Sequence, residues 1–335
     1  MDAMSSALLA PLFLVSLVTT LAAARLFAGR LDRHARSLGL PEALVGVLTA
    51  LAADSPEIAT AIVALVKGAH RASVGVVVGS NVFNLAAMIG ASALLAGKVR
   101  LPREALVLEG AVGMVVIVAG AGVLVGALPP VGAAILVTCV LVPYLVLLIW
   151  GPRFLIRLRV PTSLVGGLGR ALAERERADA PRTAEGPPWH DTLLFGLDVS
   201  LILLGSIGMV QAALALGDRW HVRGALVGVL VLAPLTSIPN AITGVRLGLA
   251  DRGSALVSET FNSNTINLVA GIIVPALFVD VTAPYQTARL DLILLGVMSA
   301  LCVVFLARVG GIRRIGASVL VGLYLGFVAI QLVVA

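Results

Sequence analysis

Of the 335 residues, 59% are hydrophobic and only 13% charged, and mean hydropathy is +1.05. A water-soluble domain cannot hide that much apolar surface, whereas lipid accepts it, so the composition excludes the soluble globular class. The net charge of +6 does not signal nucleic acid, because the basic residues gather in gaps between uncharged runs and the sparse aromatics are not interleaved with them.

A spanning helix needs about 20 mostly apolar residues, and the sequence predicts ten of them. The first covers 6–28. Ala22, Ala23 and Ala24 resemble a signal cleavage site, but Asp2 and the lack of any basic residue before Arg25 reverse a signal's charged start, so this run is read as a helix. The second, 40–66, carries Asp54, Pro56, Glu57 and Thr60, and the third, 72–97, carries Ser80, Asn81 and Asn84. Gly75, Gly79 and Gly90 in the third read as close-packing positions. The fourth and fifth cover 105–127 and 130–150, with Glu109 near one end and Cys139 read as a packing residue.

A polar stretch follows at 151–190, rich in proline and carrying the alternating run Glu174-Arg175-Glu176-Arg177, which predicts a connector and not a domain. The sixth span, 192–215, contains Asp198, an acid read as reaching the interface or serving a proton path. The seventh, 222–249, sets Thr236, Ser237, Asn240 and Thr243 around Pro239. The eighth, 254–279, carries Glu259, Asn264 and Asn267; the ninth and tenth cover 287–307, with Cys302, and 314–335. Glu259 is read as lining an inner access route, and Asp280 and Asp291 as external surface. His34, His70, His190 and His221 fall in gaps or at span edges and read as loop residues.

If the N-terminus lies outside, the inner loops hold 19 Lys and Arg and the outer loops 5, so the positive-inside bias places both termini outside, with 151–190 in the cytoplasm. A plasma-membrane location is the matching expectation.

The chain repeats itself across the linker. Leu44-Val45-Gly46-Val47-Leu48 recurs as Leu226-Val227-Gly228-Val229-Leu230, at an offset of 182. Ser55-Pro56-Glu57-Ile58-Ala59-Thr60 aligns with Ile238-Pro239-Asn240-Ala241-Ile242-Thr243, and Ser80-Asn81-Val82-Phe83-Asn84 with Ser263-Asn264-Thr265-Ile266-Asn267, at an offset of 183. Five spans per half is an odd number, so the second half enters the bilayer upside down. The predicted fold is an all-α membrane protein of two inverted five-helix repeats, 1–150 and 191–335, with a midplane site between them.

Charge within the bilayer needs a reason. Glu57 follows a proline, which removes a backbone donor and breaks the helix, leaving carbonyls free to coordinate a cation. Asp54 lies three residues earlier, on the same face wherever helix persists. Thr236, Ser237, Asn240 and Thr243 form the equivalent strip, and Asn81 with Asn84, and Asn264 with Asn267, place two amides on one face of each following helix. The set offers only oxygen ligands and two formal negative charges, which suits hard cations such as Na⁺ and Ca²⁺. For Ser80 and Ser263 an interhelical hydrogen bond is an equally good reading.

The stretch 44–90 with 226–272 resembles the paired alpha repeats of the cation/calcium antiporter superfamily, the sodium/calcium exchangers and their relatives. Gly79-Ser80-Asn81-Val82-Phe83-Asn84 and Ser237-Ile238-Pro239 carry the resemblance. It implies a shared Na⁺/Ca²⁺ site with ligand roles for Glu57, Thr236, Ser237, Asn84 and Asn267. The chain departs from the family pattern at Asn240, where a second glutamate is expected, at Asp54, where serine is usual, and at Asn262, which replaces glycine. One carboxylate is thus expected to have moved from the second half to the first.

The leading expectation is a secondary antiporter that exchanges Ca²⁺ for Na⁺ or H⁺ by alternating access, with inorganic cations and the bilayer as its partners. Two alternatives stay open: an antiporter moving a monovalent or other divalent cation against H⁺, and a non-transporting ion-binding membrane protein. No nucleotide loop, Ser/His/Asp set or phosphorylation module is present, so neither an enzyme nor a bound cofactor is expected. Oligomeric state is not legible.

Overall fold

The computed structural model describes residues 6–40, 42–100, 103–150, 189–282, 288–309 and 311–334. The connector expected at 151–190 lies outside these, apart from its last two residues, which open a helix. In chain order, α1 (Ser6–Ser37) is followed by α2 (Glu42–Ala53), α3 (Ser55–Val66), α4 (His70–Asn84), a π-helical turn at Leu85–Ala91, α5 (Ser92–Ala96), β1 (Lys98–Arg100), α6 (Arg103–Leu124) and α7 (Pro130–Trp150). The second half runs α8 (Trp189–Arg219), α9 (Gly224–Leu226), a π turn at Val227–Leu232, α10 (Ala233–Thr236), α11 (Ile238–Leu249), α12 (Gly253–Leu268), a π turn at Val269–Ile273, a 3₁₀ turn at Pro275–Leu277, α13 (Ala288–Val309), β2 (Gly311–Arg313) and α14 (Arg314–Val334).

Among the described residues six helices are long and apolar enough to cross a membrane. Two bent pairs, α2 with α3 and the α9–α10 segment with α11, raise that number to eight. The bends measure 51° and 48° and fall at Asp54 and Ser237, which are repeat mates. Both precede the residue before a proline, so each break sits where the helix ladder loses a donor.

Which helices lie inside follows from their polarity. α4 and α12 carry Ser, Asn and Thr along their length and are almost wholly buried, because lipid offers those groups no partners. The apolar first part of α1, with the apolar stretches of α7 and α14, exposes Leu14, Val18, Ile135, Val142, Leu325 and Ile330 outward, as a lipid-facing rim does. Cys139 belongs to that exposed rim, against the packing role expected for it, whereas Cys302 is buried.

Three glycines set one close crossing between the halves. A Cβ on Gly75 would meet Ala225 O at 2.8 Å, one on Gly79 would meet Ala233 Cβ at 2.9 Å, and one on Gly228 would collide with Ala72 O. α4 therefore lies directly on the α9–α10 segment of the other half.

Two buried acids acquire partners that the sequence did not show. Asp198 is buried on α8 and forms an ion pair with Arg30, since α1 continues as helix to Ser37, well past the predicted span end. Asp291 is fully buried on α13, not external, and accepts a hydrogen bond from Gln331 of α14. Asp280 is exposed as expected. The Thr282 hydroxyl and backbone N–H both donate to it and hold its carboxyl below the usual carboxylate range. The loops joined to α5 and α13 meet as an antiparallel ribbon, Lys98 opposite Arg313 and Arg100 opposite Gly311. Gly311 has φ of 147° and its missing side chain admits the Val99 carbonyl, so only glycine fits there.

Candidate functional site

The two broken helices bring their breaks together. Asp54 and Glu57, from the first break, are each 1% exposed and face Asn240 from the second. One amide nitrogen, Asn240 Nδ2, donates to Asp54 Oδ1 at 2.8 Å, to Glu57 Oε1 at 3.2 Å and to Ser263 Oγ at 3.3 Å. Ser263 Oγ donates to Asp54 Oδ1 at 2.7 Å. Neither acid forms an ion pair among the described residues, and each charge acts on the other.

The following helices, α4 and α12, close the cluster. Asn81 Nδ2 donates to Asn264 O and Asn264 Nδ2 to Asn81 O, both at 3.1 Å, a reciprocal clasp across the pseudo-symmetric crossing. Asn84 Nδ2 lies 3.2 Å from both Ser263 Oγ and Asn264 Oδ1. Thr236 Oγ1 donates back to Leu232 O at 2.9 Å, bracing the turn before the second break. Ser237 stands near enough for its hydroxyl to act on Glu57, but no hydrogen bond of ordinary geometry joins them.

Buried polar atoms in folded proteins nearly always find partners. Here Asp54 Oδ2, Glu57 Oε2, Thr60 Oγ1, Ser80 Oγ, Asn81 Oδ1 and Asn84 Oδ1 do not. Ser237 Oγ and both amide atoms of Asn267 are also unpartnered. These unpartnered oxygens, with the two buried carboxylates, are hard donors whose chemistry suits a desolvated cation. The donors around the two acids are hydroxyl and amide oxygens, which hard cations prefer.

All nine residues singled out from the sequence, Asp54, Glu57, Asn81, Asn84, Thr236, Ser237, Asn240, Asn264 and Asn267, are buried in these four helical segments. Two expectations fail. Thr243 does not join the strip: it is exposed, with its hydroxyl turned back onto Pro239 O at 3.0 Å, while its mate Thr60 is buried beneath α8. The carbonyl that Pro56 would leave free, Ala52 O, is taken by Ser55 Oγ at 2.7 Å and is not offered to a cation. Ser263, which sequence left between packing and binding, is at the centre of the cluster; its place one turn beyond Glu259 and beside Asn264 was the available signal. Glu109 is buried and accepts from Ser258 Oγ at 2.7 Å.

Fold and site together define a helical membrane protein of two related halves around a buried, oxygen-rich cluster. The sodium/calcium exchanger protein family matches residues 8–150 and 190–333, and the chain belongs to that family of membrane exchangers, which are not enzymes. CaxA from Alkalimonas amylolytica, which carries the name of an antiporter, is 27% identical over 313 residues, 90% of this chain and 91% of its own. Two solved folds are similar throughout. The sodium–calcium exchanger NCX_Mj, soaked with Na⁺ and Sr²⁺, aligns with a TM-score of 0.60 at 20% identity, covering 97% of this chain and 99% of the other. The H⁺/Ca²⁺ exchanger CAX aligns with a TM-score of 0.67 at 15% identity, covering 97% and 86%.

Proposed function

We propose that the chain is a secondary cation antiporter that exchanges Ca²⁺ for Na⁺ or H⁺ by alternating access. The observation that carries this reading is the pair of buried carboxylates, Asp54 and Glu57, at one helix break, faced by Asn240 from the mirror-related break and surrounded by unpartnered oxygens. Asp54, Glu57 and Asn84 of the first half and Thr236, Ser237 and Asn267 of the second would enclose the ion, with Asn240 as the second half's contact to the two acids. The clasped amides of Asn81 and Asn264 would fix the crossing and leave Asn81 Oδ1 facing inward. Two carboxylates balance one divalent ion, which discharges much of the cost of burying both.

Adding α6 and the α12–3₁₀ segment to the eight spans counted by length gives the ten of an inverted five-plus-five repeat. α1 and α8, joined by the Arg30–Asp198 pair and by Gly205 and Gly208 fitted against Ser16 and Thr20, would move as one body over that core. The loop charges support a plasma-membrane protein with both termini outside. Asn240 also favours a second reading, exchange of a monovalent cation for H⁺, since the second half brings no charge of its own.

The test is a flux panel in proteoliposomes with Ca²⁺, Na⁺ and other cations, driven in turn by Na⁺ and pH gradients. Glu57→Gln is expected to remove gradient-driven exchange by about 100-fold, the effect of roughly 3 kcal/mol lost from a buried charged partner. Undiminished flux in that variant would refute the site, and gradient-driven flux restricted to monovalent ions would select the second reading.

A further inference from the structure

α12 carries one row of polar residues toward the central cluster, and the first of them takes no part in it. Glu259, Ser263 and Asn267 are spaced by four, so they share a face of the helix, with about 6 Å of rise between neighbours. Ser263 and Asn267 are buried, and Ser263 donates to Asp54. Glu259 is half-buried, and among the described residues it makes no hydrogen bond and no ion pair. The charges that act on it are those of Asp54, above, and Arg252, at the start of α12.

Helical side chains lean toward the N-terminal end of their helix. Glu259 therefore points away from Ser263, toward the face of the membrane where α12 begins at Gly253. On that side of the break Thr243 is exposed, whereas its mate Thr60, on the opposite side, is buried. The repeat gives an internal control. The position equivalent to Glu259 in the first half is Val76, apolar and fully buried, so the carboxylate exists on one side only. Helix packing does not account for a lone acid within a span, since packing gains nothing from an unpartnered carboxylate.

Resting on the cation-exchange reading, we propose that Glu259 is the first carboxylate met by a cation approaching from the Gly253 face, and that it passes the ion along the Ser263 row to Asp54 and Glu57. It is a positioning and affinity-setting residue for one direction of exchange and not a ligand of the enclosed ion. An ionised carboxylate at the mouth of a low-dielectric passage raises the local cation concentration.

The experiment uses the full chain in proteoliposomes, with Ca²⁺ titrated separately at each membrane face while a constant gradient drives exchange. Glu259→Gln is expected to raise the half-saturating Ca²⁺ concentration about five- to tenfold at the Gly253 face and to leave it unchanged at the other, with maximal exchange retained. Glu259→Asp, which keeps the charge, should recover most of the difference. No shift at either face, or equal shifts at both, would overturn the proposal, the latter because a structural role acts on the site from either side. If the glutamine variant misfolds, the unmodified protein supplies the reading: half-saturation must depend more steeply on ionic strength at the Gly253 face, and equal slopes refute the relay. Absence of exchange in the unmodified protein is a different failure, one that removes the antiport reading itself.

Discussion

The two halves share a backbone and differ in chemistry. Both break at the same repeat position and by nearly the same angle, 51° at Asp54 and 48° at Ser237. Yet the first break offers two acids, and the second offers a hydroxyl and an amide. The shared proline and the helix periodicity set the bend, so side chains at the bend are free to diverge. Asn240 then donates into the carboxylates that its own half lacks, and the site becomes a single unit only across the repeat interface.

The same contrast holds where each half's central helix meets the other half's broken span. Gly75 and Gly79 let α4 touch the α9–α10 segment directly. Their mates on α12 are Ser258 and Asn262, whose side chains instead bond Glu109 and the Tyr144 hydroxyl. α12 consequently stands off from α2, leaving an apolar crevice of about 160 Å³ lined by Val47, Leu51, Leu141, Tyr144, Asn262 and Thr265. The single-residue change of offset between the halves also has a structural counterpart. The extra residue falls between Leu230 and Ile238, and the second half winds a π turn at Val227–Leu232 where the first half keeps regular α-helix. A π turn takes one more residue per hydrogen-bonded loop, so the insertion is absorbed before it reaches the break.

These differences can be broken experimentally, and the charge placement carries the largest effect. Exchanging the mates, Glu57→Asn with Asn240→Glu, should restore at least about a tenth of the flux that Glu57→Gln loses, because the two positions lie within hydrogen-bond reach and two acids remain. A double variant as inactive as the single one would show that the carboxylate must belong to the first half.

Deletions probe the helix winding next. Removing Thr49 from the regular α2 helix should turn Asp54 by about 100° relative to what precedes it and abolish exchange. Removing Val231 from the π turn should leave a folded protein with measurable flux, since the turn can relax to α. Equal loss from both deletions, read by flux and by thermal unfolding in detergent, would remove the π turn as the buffer.

The packing contrast is the smallest effect. Gly79→Val is expected to destabilise the protein by about 2–3 kcal/mol through overpacking against Ala233 and Val229. Asn262→Val should cost only about 1 kcal/mol, the Tyr144 hydrogen bond, because the crevice accepts the new side chain. Comparable losses for the two variants in thermal unfolding would show that the crevice is not free space.

Much of this was legible in the sequence because lipid makes polar residues conspicuous. Asp54, Glu57 and the five asparagines stand in apolar runs, and every one is buried. Ser263 was not legible as a central residue, since a serine's hydroxyl serves a packing bond and a carboxylate equally well until a partner is specified. Neither the ion pair of Asp198 nor the burial of Asp291 was legible, for a related reason. Their partners, Arg30 and Gln331, lie 168 and 40 residues away, and nothing local announces them.

The sequence by itself determined the membrane environment, the doubled architecture and the place of each break, because hydropathy, repetition and proline act locally along the chain. Only the tertiary structure decided which half's acid meets which half's amide, which freed carbonyl is taken, and that Thr60 is covered while Thr243 is open. Those outcomes depend on how helices distant in sequence are laid against one another, and contact across the repeat interface is not written in either repeat alone.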